Sequence, residues 1–61
     1  MKHSEYEYID LGYRYEQAQS ADSGRALANA IRTLLESETI EDRTDARYLV
    51  ERGRQEARAT V

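Results

Sequence analysis

Apolar positions in the stretch ALANAIRTLL, residues 26–35, fall at Leu27, Ala30, Ile31 and Leu34. That i, i+3, i+4, i+7 spacing is the signature of a helix turning one face toward a core. Ala28 and Leu35 widen the face, while Arg25, Asn29, Arg32 and Glu36 hold the opposite side in water. Alanine and leucine are strong helix formers and the run contains neither Gly nor Pro, so intrinsic preference and pattern agree. An apolar arc this broad is usually covered from two sides, by the flanking segments of the same chain or by a partner copy.

Ahead of this run, SEYEYIDLGYRYEQAQS holds most of the tyrosines and admits two readings. As a helix, Ser4 and Glu7 form a capping box, since hydroxyl and carboxylate can each satisfy a free N–H of the first turn. Tyr8, Leu11, Tyr15 and Ala18 then share a face, and Asp10 precedes Arg14 by four residues in the favourable order. As strands, Tyr6 and Tyr8 alternate with acids, Tyr13 and Tyr15 flank Arg14, and Asp10-Leu11-Gly12 makes a turn. The cap, the ion pair and the polar tail favour the helix. Ala21-Asp22-Ser23-Gly24 reads as the break before the central helix, with Asp22 or Ser23 as its cap; an unbroken helix from Glu5 to Ser37 is the alternative.

Behind the central run, ETIEDRT is a second connection, with Thr39 or Thr44 as the cap of a last helix running to about Arg58. Ala46, Leu49, Val50, Gly53 and Ala57 give it a narrow stripe that permits close approach of another helix. Its outer face pairs Arg47 with Glu51 and Arg52 with Glu56. The fold class expected is all-α, a single domain over residues 1–61 of two or three short helices, a hairpin or small bundle completed by homodimerisation. N-terminal strands followed by two helices is the alternative class.

Length sharpens this expectation. A chain of 61 residues buries only about 60% of the surface it exposes when unfolded. Ile9, Leu11, Leu27, Ile31, Leu34, Leu35, Ile40, Leu49 and Val50 are almost the whole supply of large aliphatics. With no cysteine, a disulfide is impossible, and association of protomers is the remaining staple, most simply as a two-fold dimer with Leu27, Ile31, Leu34, Leu35, Leu49 and Val50 as core and oligomer residues. The same lack of cysteine, with no apolar run of membrane-spanning length and no secretory signal, points to the cytoplasm.

The net charge is -3 and unevenly laid out. Residues 1–24 set Lys2 and Arg14 against five acids, whereas residues 46–61 set Arg47, Arg52, Arg54 and Arg58 against Glu51 and Glu56. An acidic front and mildly basic rear argue against one dominant basic surface.

Catalytic material is thin. His3 reads as a mobile, solvated side chain beside the terminus, and no hydroxyl has a visible activating base. Glu36, Glu38, Glu41, Asp42 and Asp45 lack the alternation and mid-loop glycine of a calcium loop and read as a solvated connection with helix-start acids. No enzyme activity, catalytic residue, metal or cofactor is expected.

Tyr6, Tyr8, Tyr13 and Tyr15 are the residues expected to bind a partner, because tyrosine offers rigid contact area and a hydroxyl at modest entropic cost. The function expected is a noncatalytic protein-protein interaction module, a small accessory regulator or inhibitor of the phage or plasmid type, acting as a helical homo-oligomer on a protein partner. The alternative is a small DNA-binding transcriptional regulator of ribbon-helix-helix-like architecture, with Arg47, Arg54 and Arg58 as its nucleic-acid contacts. Acids on its supposed strand weigh against that reading.

Overall fold

The computed structural model describes residues 1–60 and contains three helices: α1 (Glu5–Gln17), α2 (Ala21–Glu36) and α3 (Ile40–Ala59). No strand is present among the described residues, so the tyrosine-rich front is helix and the strand-first alternative does not form. Local capping accounts for much of this. Ser4 Oγ accepts the Glu7 N–H at 3.2 Å, and Asp10 pairs with Arg14 at 3.0 Å. Thr39 Oγ1 caps α3 by accepting the Asp42 N–H at 3.2 Å, which leaves Thr44 inside the helix.

The first break lies earlier than Asp22 to Gly24. The N-cap of α2 is Ser20, whose hydroxyl accepts the Ser23 N–H at 3.1 Å, and Gly24 sits in the following turn with ordinary helical backbone. The two serines reinforce this cap, their hydroxyls standing 2.9 Å apart, and the capping bond satisfies an N–H that the first turn leaves free. The unbroken helix is thereby excluded.

The core is not built around the central run. It lies where α1 crosses α3, and two glycines create it. A Cβ on Gly12 would overlap the Val50 carbonyl, with the carbonyl carbon 2.8 Å away; one on Gly53 would overlap the Ile9 carbonyl and lie 2.9 Å from the Tyr13 N–H nitrogen. Each helix thus offers a gap to the other's backbone. Gly12, which as a sequence feature only weakens the helix, is buried mid-helix at this crossing. Tyr8, Ala46 and Leu49 fill the space beside it, with Ala57 buried further along α3.

Contacts of the Met1 amino group with Asp42 at one end, and of Glu16 with Arg54 and Arg58 at the other, show α1 and α3 running in the same sense. The return helix, α2, lies against both more lightly and contains no buried residue. Ile40 is also left 79% exposed. No described helix is long and apolar enough to cross a membrane.

Candidate protein-binding site

What holds α2 is concentrated at its C-terminal end, where Leu34 and Leu35 pack against the core and a polar cluster surrounds them. Tyr8, 0% exposed, sends its hydroxyl between α2 and α3, donating to Glu38 Oε2 at 2.6 Å with the Leu34 carbonyl oxygen 3.2 Å away. Glu38, 5% exposed, also accepts the Lys2 N–H at 2.7 Å and the His3 N–H at 3.2 Å. Arg43 reaches back from α3 and donates to the Leu35 and Glu38 carbonyl oxygens at 2.9 and 3.2 Å; the first of these also accepts the Glu38 N–H at 3.1 Å, so the guanidinium adds a second bond at the end of α2.

Glu38 is therefore the exception among the acids of this connection. Glu36 and Glu41 are solvated as expected, but Glu38 is a buried anchor. Its neighbour His3 is corrected likewise: the ring is half-buried, with Nε2 3.1 Å from Ser37 Oγ and its plane edge-on to Tyr8. A buried carboxylate persists only when its oxygens are satisfied, and here they are.

Burial alone would raise the Glu38 carboxyl, but the Lys2 N–H, the Tyr8 hydroxyl, the His3 N–H and the positive amino terminus outweigh it and hold the group at about 2 against an ordinary 4.5. A depressed carboxylate contributes stability that is fully present above its unfolded value and is lost as pH falls through the folded one. Thermal midpoints should therefore hold above about pH 4.5 and fall steadily toward pH 2. Glu38→Gln should flatten that decline; an unchanged decline would show that other carboxylates cause it. Tyr8 moves the opposite way: burial first, then its bond to Glu38 and the charge of that carboxylate, push the phenol well above its usual value and keep it neutral.

The flanks of α2 form two grooves. Between α2 and α3 the floor is Ala28, Ile31, Leu35 and Val50, and the rim carries Arg32, Arg43, Arg47 and Arg54 with Glu36. Between α1 and α2 the floor is Leu11, Ala30 and Leu34, and the rim carries Glu7 and Asp10. One flank is basic and the other acidic. Leu27, Ile31, Leu34, Leu35 and Val50 are half-buried, and only Leu49 of the expected core residues is fully buried.

The tyrosines expected to meet a partner are not brought onto one surface. Tyr8 is corrected to core: its ring is fully buried and its hydroxyl is spent on the Glu38 carboxylate. Tyr6 is 74% exposed, and Tyr13 shares a shallow depression with it, Ile9 and Asp10. Tyr15 is half-buried beneath Arg54, whose guanidinium carbon stands 5.3 Å from the ring centre.

Nor do Arg47, Arg54 and Arg58 form an open cationic stripe. Arg54 and Arg58 both clasp Glu16, at 3.1 and 3.2 Å, and both also reach Glu51. Hydrogen bonds from Arg58 and then Arg54 hold the Glu16 carboxyl below its ordinary value, and the same carboxylate raises Arg58. Glu51 is thereby drawn away from Arg47, which has no ion-pair partner among the described residues. Arg32 and Arg43, the other cations of the basic groove, carry no sequence signal, since their meeting depends on how α3 folds back beside α2. No protein-family model matches the chain, and no curated protein or solved structure shows significant similarity to it.

Proposed function

We propose that the chain is a noncatalytic protein-protein interaction module, a small accessory regulator or inhibitor that acts as a helical homo-oligomer and engages a protein partner. One observation carries the reading: α2 has the richest supply of leucine and isoleucine in the chain, and none of its residues is buried. A fully buried aliphatic side chain contributes roughly 1.5 to 3 kcal/mol, so covering these half-buried residues is a substantial unused source of binding energy. Exposed apolar surface rimmed by charge is how interaction sites present themselves.

A second copy is the simplest cover at this chain length, and the α1–α2 groove suits it. There Asp10 already carries Arg14 as counter-charge, and Glu7 lies 3.6 Å from His3. Cysteine-free composition fits a cytoplasmic setting. Light scattering across a micromolar dilution series should give a mass above that of one chain, with an unfolding midpoint that rises with concentration. A monomeric mass and a concentration-independent midpoint would remove the homo-oligomer.

A further inference from the structure

We infer that the groove between α2 and α3 docks an acidic amphipathic helix of a partner protein, an assignment that rests on the interaction-module reading. Its floor is aliphatic, formed by Ala28, Ile31, Leu35 and Val50. Its rim inverts the charge of the molecule: on a chain of net charge -3, four arginines line the groove against Glu36 alone. Arg54 is already neutralised by Glu16 and Glu51, but the other three are not. Arg32 donates to the neutral Asn29 amide oxygen at 2.7 Å, Arg43 donates to neutral backbone carbonyls, and exposed Arg47 has no carboxylate within ion-pair distance among the described residues. Guanidinium groups bind carboxylates through paired, directed hydrogen bonds, so a rim of this kind selects acids.

The shape selects the backbone. From Ala28 to Leu35 the floor extends for about 10 Å of helix, which is two turns, the length over which a docked helix places anchors at i, i+3 or i+4, and i+7. A second copy presenting the same groove across a two-fold axis would bring arginines against arginines, and like charges facing each other suppress association. Duplex nucleic acid would satisfy the arginines through phosphate but leave the aliphatic floor uncovered.

The test uses the full chain, isotopically labelled, and three probes: a synthetic helix with leucines at i, i+3, i+4 and i+7 flanked by glutamates, the same peptide with lysines in their place, and a short DNA duplex. The acidic peptide should shift the amide signals of Ala28, Ile31, Leu35 and Val50 and bind at least about tenfold more tightly than the lysine peptide, with the difference shrinking as salt rises. A chain carrying Arg32→Glu and Arg47→Glu, both at exposed positions away from the core, should reverse the preference while keeping its helical circular dichroism. Silence of these four signals, equal binding of both peptides, or tighter perturbation of the same signals by DNA would overturn the assignment. So would shifts at the groove produced by concentrating the chain alone. Self-association with a silent groove would leave the interaction reading standing and remove only this one; absence of association with any chain would remove both.

Discussion

Gly53→Ala is expected to destabilise the protein by about 3 kcal/mol, although alanine is the better helix former by about 1 kcal/mol. The added methyl would meet the Ile9 carbonyl and the Tyr13 nitrogen, which are main-chain atoms of α1 and cannot rotate aside as a side chain can. Relief requires α1 and α3 to separate, which loosens Tyr8, Ala46 and Leu49 together. Gly12→Ala should behave alike, because its methyl would meet the Val50 carbonyl. Gly24 is the internal control: a methyl there would find only Ala18 Cβ at 3.9 Å, an ordinary contact. Gly24→Ala should therefore raise stability by about 0.5 kcal/mol through helix propensity. Urea denaturation of the three variants decides the matter, and a Gly53→Ala protein as stable as the parent would contradict the crossing.

Tyr8→Ala should cost about 4 kcal/mol, as truncation of a buried aromatic does. For a domain of this length total stability is on the order of 3 to 9 kcal/mol, so this variant should lose from about half to all of it. Tyr8→Phe separates packing from polarity. It keeps the ring and removes the donor to Glu38, at about 1 to 2 kcal/mol. If hydroxyl and carboxylate act as a pair, combining Tyr8→Phe with Glu38→Gln should cost less than the sum of the single changes. Strict additivity would mean that the carboxylate's charge adds nothing to the 2.6 Å bond, since a glutamine amide oxygen can still accept it.

Much of the helix pattern is legible in the residues themselves. Ser4 with Glu7 and Thr39 with Asp42 announce two helix starts, and Ala46, Leu49, Gly53 and Ala57 announce the face of α3 that is buried. Local signals of this kind act within a turn or two, which is why they survive without knowledge of the fold. The site of the core is not local. ALANAIRTLL has the strongest apolar periodicity in the chain, yet Gly12 and Gly53 let the α1 and α3 backbones meet, and these two helices pack far more extensively with each other than either does with α2.

The same distinction applies to the candidate site. Composition singles out tyrosines, but Tyr8 is consumed by the core and Tyr15 by Arg54. Arg32, Arg43 and Arg47 meet across a groove that exists only once α3 has turned back beside α2. Glu38 is likewise one acid among several until Tyr8 and the Lys2 and His3 amides converge on it.

α1 and α3 clasp each other, and in the proposed function α2 is the helix that a second chain covers. Amide hydrogen exchange, read helix by helix at high dilution and again with the acidic peptide bound, tests this arrangement most directly. The expected result is slow exchange across the α1–α3 crossing in both states, and faster exchange in α2 that slows on binding. Protection of α2 equal to that of α3 in the dilute chain, unaltered by concentration or peptide, would contradict the account.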